Sequence, residues 1–211
     1  MIKDKKKKMV IGVTGGTGCG KTAVMQLLEE RFHAGLIIAD KVGHELMAPG
    51  GANYQEIVAY FGEDILAEDG QIDRARLSAI VFADKEKLDK LNSFSHPNIE
   101  KAIVKKLDEL QEDDSVPFIA MEAALLIECG FKKYLDELWY VYADEETRIE
   151  RLMKYRGYSV EKSRSVMKNQ LKEEEYLRNS ERVIDNSGSV EETYQKLKEI
   201  FDGDLKDLYK A

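Results

Sequence analysis

Gly15, Gly20, Lys21 and Thr22 stand in the order G-x-x-x-x-G-K-[ST], straight after the apolar run Met9-Val10-Ile11-Gly12-Val13-Thr14. The chemistry this spacing suits is the grip on a triphosphate. A strand that turns sharply into a helix leaves backbone N–H groups pointing into a concavity. Glycines there, including Gly16 and Gly18, let the backbone approach phosphate oxygens with no Cβ in between. Nucleotide contacts are therefore expected from Gly15, Gly16, Gly18, Cys19, Gly20, Lys21, Thr22 and Ala23. Lys21 would lie against the β- and γ-phosphates, and Thr22 would hold Mg²⁺. A chance glycine-rich turn is the alternative, and the strand and helix patterns on either side argue against it. The motif speaks for a nucleoside triphosphate with Mg²⁺ and leaves the acceptor open.

Phosphoryl transfer needs three further things: charge neutralisation, an aligned acceptor and exclusion of water. Asp40 ends the strand-like run Leu36-Ile37-Ile38-Ala39, at the strand end where open α/β sheets bind ligands, and can act as a general base; capping the helix that follows is its other reading. Glu122 follows the run Pro117-Phe118-Ile119-Ala120-Met121 and is placed to reach Mg²⁺ through water. Glu128 either sits at the surface or pairs with an arginine. Arg148, Arg151 and Arg156 form a cationic cluster around Gly157, with the look of a lid over phosphates; solvated or Glu-paired arginines are the alternative. His96 is a lone histidine with either a surface or a substrate role. Cys19, beside a helix N-terminus that favours a thiolate, is either a small filler or a redox-sensitive thiol. Trp139 reads as core.

These residues need a scaffold, and the pattern supplies one. Strand-like runs at Met9–Val13, Leu36–Ala39, Phe118–Met121, Glu137–Tyr142 and Arg182–Ile184 alternate with amphipathic helices, the signature of an α/β domain with a mostly parallel five-stranded sheet between helical layers. Lys21–Phe32 reads as the first helix. Residues 41–115 read as a helical insertion that shapes the acceptor site, with Asp73 and Asp84 as N-caps, Pro97 in the first turn of a helix ending near Gln111, and Leu77, Ile80, Phe82, Leu88 and Leu91 as its own apolar positions. A lid is expected at about 144–178, where Gly157 ends one helix and Ser159 caps the next.

The chain has 211 residues, 43% of them hydrophobic, enough for one well-buried core carrying an insertion. A net charge of −8 argues against a nucleic-acid surface. Two cysteines make no disulfide framework, and no apolar run is long enough to span a membrane. Met1–Lys8 reads as a disordered basic leader rather than a signal peptide, with residues 9–211 forming a single domain in the cytoplasm.

Taken together the motifs resemble the dephospho-coenzyme A kinase family. The likeness runs in order through Gly12-Val13-Thr14-Gly15-Gly16, Ala39-Asp40, Pro49-Gly50, Phe61-Gly62, Asp69-Gly70, Asp73-Arg74, Val81-Phe82, Leu91-Asn92, His96-Pro97, Leu125-Leu126 with Glu128, Arg151-Leu152 with Arg156, Gln170, and Val183-Ile184-Asp185-Asn186 with Gly188. The resemblance implies a P-loop NTPase fold of three α/β/α layers with a helical insertion and a lid. It also implies transfer of the ATP γ-phosphate, with Mg²⁺, to the ribose 3′-hydroxyl of dephospho-coenzyme A. By that likeness Asp40 is the base, Lys21 and the lid arginines Arg148, Arg151 and Arg156 stabilise charge, Asn186 lies near the adenine, and Asp40, His44, His96 and Leu125 meet the acceptor. Four departures stand out: Ile38 where Asp often precedes Ala-Asp, His44 where Arg is frequent, Glu122-Ala123-Ala124 in place of Asp and Pro, and Glu173 at an often basic position. A nucleoside or nucleoside-monophosphate kinase of the same fold, and a nucleotide-binding module without turnover, are the competing readings. A monomer is expected, with a homo-oligomer as the alternative.

Overall fold

Val10–Thr14 is buried at all five positions and lies at the centre of the sheet. A strand covered by helices on both faces has to be apolar throughout, which is why this run shows no alternation. Numbering the strands along the chain gives β1 Val10–Thr14, β2 Gly35–Ile38, β3 Ile119–Glu122, β4 Glu137–Tyr142 and β5 Arg182–Asp185, in the order β2-β3-β1-β4-β5. The pairs β1–β3, β1–β4 and β4–β5 are parallel, with Val13 opposite both Glu122 and Trp139. The computed structural model describes residues 7–123, 126–127 and 130–209. Expected and observed strands differ by a single residue at most ends, and β4 coincides with its expectation.

The helices used below are α1 Lys21–Phe32, α2 Ala39–Met47, α3 Ala52–Phe61, α4 Arg74–Ala83, α5 Lys85–Glu112, α6 Glu145–Arg156, α7 Val160–Lys168, α8 Glu173–Asn179 and α9 Val190–Asp202. The described residues divide into two compact units. One runs up to Ile37 and resumes at Leu110; the other is Ile38–Glu109.

In the first unit an aromatic cluster fastens helices to the sheet. Phe201 of α9 stacks on Phe32 of α1 at 4.3 Å between centroids, and also meets Phe118 at 5.1 Å and Trp139 at 5.9 Å. All four rings are buried, as expected for Trp139. The neighbouring residue Tyr140 points to the other face, because successive strand side chains alternate, and there it stacks on Tyr176 of α8 at 4.8 Å. Helices thus cover both faces. Ser189 caps α9 through the Glu192 N–H, and the Glu192 carboxylate returns a bond to the Ser189 N–H. Lys8, expected in the leader, is instead held: its N–H donates to Gln111 Oε1 at 2.8 Å and its ammonium to the Leu110 carbonyl at 2.7 Å. Of the rest of the expected leader, Lys7 is exposed and Met1 to Lys6 lie outside the described residues.

The second unit has its own core of Ile57, Ile65, Ile72, Leu77 and Val81, against which Ile80, Leu88, Leu91 and Phe94 pack. Asp73 caps α4 by accepting from the Ala75 and Arg76 N–H groups, and Asp84 does the same for α5 from Glu86 and Lys87. Two expectations fail here. Phe82 is 82% exposed, because Leu77 and Val81, four apart, take the inward face of α4 and leave its neighbour on the outer flank. Pro97 lies inside α5, a 28-residue helix, instead of opening a new one. A proline there forgoes one backbone donor, and the helix continues on either side of it.

Truncating the ring at the centre of the aromatic cluster, Phe201→Ala, should destabilise the protein by about 3–5 kcal/mol. Phe82→Ser should change stability by no more than about 0.5 kcal/mol, as for an exposed site. Urea unfolding followed by circular dichroism reads both, and comparable losses would contradict this packing.

Candidate active site

Between β1 and α1 the chain makes the tight loop that the glycine spacing predicts. Gly20 sits at φ 89° in the left-handed region, and a Cβ there would run into the Asn186 amide. At Gly16 a Cβ would strike the Arg148 guanidinium. The glycines are therefore required as much by what stands behind and beside the loop as by the phosphates it would face.

The orientation of the loop's peptide groups follows from which carbonyls are held. In a trans peptide the C=O of one residue and the N–H of the next point in opposite directions. Arg148 Nε donates to the Thr17 carbonyl at 3.0 Å, which turns the Gly18 N–H the other way. The Cys19 carbonyl accepts from Asn186 Nδ2 at 2.7 Å and from Arg151 Nη1 at 3.2 Å, which turns away the Gly20 N–H. Neither N–H donates to any acceptor among the described residues. The Lys21 and Thr22 N–H groups that open α1 likewise have no backbone acceptor among the described residues, the third, of Ala23, donating to the Gly20 carbonyl. Together these donors make an anion-binding mouth at the positive end of a helix.

Lys21 Nζ donates to the Gly15 carbonyl at 2.9 Å and stands 4.0 Å from Glu122 Oε1, both side chains being largely buried. Glu122 closes β3 beside β1, so parallel pairing brings a carboxylate and an ammonium to the same sheet edge. Thr22, in the first turn of α1, is exposed. A hydroxyl and a carboxylate are hard oxygen donors of the kind Mg²⁺ takes alongside water and phosphate oxygens, so this pair fits the ion. No cluster of three or more His, Cys, Asp or Glu residues able to hold a metal occurs among the described residues.

Helix α6 delivers the arginines. Its N-cap, Asp144, accepts from the Thr147 N–H and hydroxyl, each at 2.8 Å, and those bonds hold its carboxyl below the ordinary range. Its C-cap is Gly157 in the left-handed conformation. One turn of helix separates Arg148 from Arg151, which puts both on the face toward the loop. Arg151 also donates through Nη2 to the Asn186 carbonyl at 2.8 Å. Arg156, at the end of α6, is exposed and forms no hydrogen bond or ion pair among the described residues. The structure thus gathers Lys21, Glu122, Arg148, Arg151 and Asn186 around the phosphate loop and leaves Arg156 apart.

Asn186 is buried behind the loop, with Oδ1 accepting from the Thr193 hydroxyl at 2.7 Å. Of the two readings of Cys19, the structure favours the small filler. The cysteine side chain is buried, and burial pushes the thiol pKa up against the opposing pull of Lys21 and Arg148. The sulfur is therefore a packing group beneath the loop.

Three of the expected acceptor residues, Asp40, His44 and His96, belong to the second unit. Asp40 lies in the first turn of α2, two positions past β2, and is exposed; His44, one turn further along α2, is exposed and in contact with the Arg74 guanidinium; His96 is exposed on α5. Leu125 and Glu128 lie outside the described residues. Two functional candidates were missed in the sequence, Arg74 beside His44 and Gln170 beside Thr17. Family likeness singled both positions out without a role, and no local pattern connects residues so far apart.

The sheet order, the phosphate loop and the arginine-bearing helix define a P-loop kinase. A family profile described as "Dephospho-CoA kinase" matches residues 9–192. A dephospho-CoA kinase of Carboxydothermus hydrogenoformans is 40% identical over 188 residues, covering 89% of this chain and 90% of the relative. Among solved structures, a Thermus thermophilus protein superposes with a TM-score of 0.78 at 28% identity, covering 93% of this chain and 98% of that one. A dephospho-CoA kinase from Campylobacter jejuni gives 0.68 at 26% identity, covering 92% and 98%. The chain belongs to the dephospho-CoA kinase family.

In the native protein at pH 7.5, iodoacetamide should leave Cys19 unmodified, and in urea it should label it; peptide mass mapping separates this site from Cys129. The raised thiol pKa makes the sign clear, because reactivity needs thiolate and the native fold withholds it even at pH values where a free cysteine ionises. Rapid labelling of Cys19 in the native state would contradict the packing role.

Proposed function

We propose that this protein transfers the γ-phosphate of ATP to the ribose 3′-hydroxyl of dephospho-coenzyme A, producing coenzyme A and ADP in the last step of coenzyme A biosynthesis. The observation that carries the reading is a phosphate loop whose peptide donors are aimed by Arg148, Arg151 and Asn186, in a chain that matches the family over residues 9–192.

In this reading the backbone N–H groups of Gly18 and Gly20, with those of Lys21 and Thr22 at the N-terminal end of α1, hold the β- and γ-phosphates. Lys21 exchanges its contact with the Gly15 carbonyl for phosphate oxygens, which keeps one positive charge on the group in flight. Mg²⁺ would be held by Thr22 and, through water, by Glu122, and would supply further charge neutralisation. Arg148 and Arg151 add positive potential while their carbonyl contacts keep the loop in shape. Ala23 ties its N–H to the Gly20 carbonyl, and Asn186, buried behind the loop, holds the Cys19 carbonyl, on the side where family likeness puts the adenine. Arg156, without a hydrogen bond or ion pair among the described residues, can swing toward the phosphates when substrate closes the α6–α8 segment. Asp40 accepts the proton of the attacking hydroxyl, and the unit from Ile38 to Glu109 binds the acceptor with His44 and His96; Leu125, outside that unit, is a further acceptor contact by family likeness. Among the described residues no helix is long and apolar enough to cross a membrane. We place the enzyme in the cytoplasm, acting as a monomer.

ADP release with Mg²⁺-ATP, compared across dephospho-coenzyme A, adenosine, AMP, CMP and no acceptor, tests the assignment. Stimulation by dephospho-coenzyme A alone is expected; stimulation by AMP or CMP would move the protein to nucleotide kinases. Asp40→Asn should lower kcat by about 10² or more and leave the affinity for ATP nearly unchanged, the pattern of a group that acts only in the transition state. A loss of tenfold or less would remove Asp40 as the base.

A further inference from the structure

Gln170 lies in the turn between α7 and α8, 153 residues along the chain from Thr17, yet its amide meets Thr17 and Arg148 together. Gln170 Oε1 accepts from the Thr17 N–H at 2.9 Å and from Arg148 Nη2 at 2.9 Å, while its Nε2 donates to Thr17 Oγ1 at 2.7 Å. Both groups facing Oε1 are donors only, so the amide fits in one orientation. Arg148 in turn donates through Nε to the Thr17 carbonyl. Thr17, at the tip of the phosphate loop, is thus gripped at its N–H, its carbonyl and its hydroxyl.

A guanidinium attached at one point can pivot, and one attached at two points has its plane fixed. Arg148 is attached by Nε to the loop and by Nη2 to Gln170, so among the described residues two of its five N–H groups are used and three remain. It borders a cavity of about 290 Å³ that Gly16, Gln170, Tyr140, Tyr142 and Glu145 also line. Burial, followed by the nearby Glu173 charge, pushes the Tyr140 phenol up in pKa, so it faces this cavity as a neutral group. Arg148 is therefore a fixed cation at the loop tip. Without Gln170 its outer edge loses its only side-chain partner among the described residues.

We propose that Gln170 is a positioning residue for phosphate binding: its Oε1 locks the Arg148 guanidinium plane against the tip of the loop, so that the three free donors meet nucleotide phosphate already aligned. Gln170 itself touches no phosphate. The proposal builds on the kinase reading above, in that Arg148 acts on a triphosphate, but it concerns the nucleotide half of the site alone.

The test is a double-mutant cycle of Gln170→Ala and Arg148→Ala in the full-length protein, reading ATP Kd by titration calorimetry and kcat with dephospho-coenzyme A. Loss of a hydrogen bond to a charged group predicts that Gln170→Ala raises the ATP Kd about tenfold in the otherwise native protein. In the Arg148→Ala background the same change should shift it less than about twofold, because the group it positions has gone. Equal losses in both backgrounds, or no loss in the native background, would overturn the proposal; a purely structural role gives the former. Gln170→Met keeps the side-chain bulk without the amide and provides the same cycle if the alanine variant does not fold. The ATP titration needs no acceptor. An intact cycle in an enzyme that dephospho-coenzyme A fails to stimulate would count against the kinase reading and support the latch.

Discussion

Everything in the nucleotide half of this protein depends on where two carbonyls point. Thr17 and Cys19 would be free to turn either way in a loop so rich in glycine, and with them the N–H groups of Gly18 and Gly20. Arg148 takes one carbonyl, and Arg151 with Asn186 takes the other. Peptide planarity then converts contacts on the back of the loop into donors on its front. The flexibility that lets the backbone approach phosphate is removed before phosphate arrives, which is the form preorganisation takes here.

The rest of the first unit exists to bring those three side chains to one place. β1 delivers the loop from the middle of the sheet, β3 ends in Glu122 beside it, and β4 leads through the Asp144 cap into α6 with its arginines. β5 leads to Asn186, whose N–H donates to the Tyr142 carbonyl at 2.8 Å and so ties the last strand's exit to that of β4. The cluster of Phe32, Phe118, Trp139 and Phe201 holds α1 and α9 on the sheet, and α9 carries the Thr193 hydroxyl that orients the Asn186 amide. Core packing and site geometry are joined through that single hydroxyl.

Much of this could be read from the chain. Alternation of apolar runs with helical periods placed all five strands, the G-x-x-x-x-G-K-T spacing placed the loop and α1, and Gly157 and Ser159 marked the break between α6 and α7, because each of these signals is local. What escaped was long-range or orientational. The arginines were read as a lid over phosphates, and the structure shows Arg148 and Arg151 gripping carbonyls 131 and 132 residues away. For Cys19 the sequence left a filler and a redox reading side by side, and burial favours the filler. Phe82 fails for a third reason, since helical phase and not hydrophobicity chooses which neighbour goes inward. Gln170 could not have been assigned a role from sequence, because its meaning lies in a fold that brings a turn after α7 against a loop after β1.

The most direct measurement is the structure of the product. Incubation with Mg²⁺-ATP and dephospho-coenzyme A, followed by ³¹P NMR of the purified acceptor, should show one new phosphomonoester resonance coupled to the ribose 3′ proton, with ADP formed in equal amount. A monoester on another hydroxyl, or ADP accompanied by inorganic phosphate with the acceptor unchanged, would contradict the assignment of this loop and its arginines to 3′-phosphorylation.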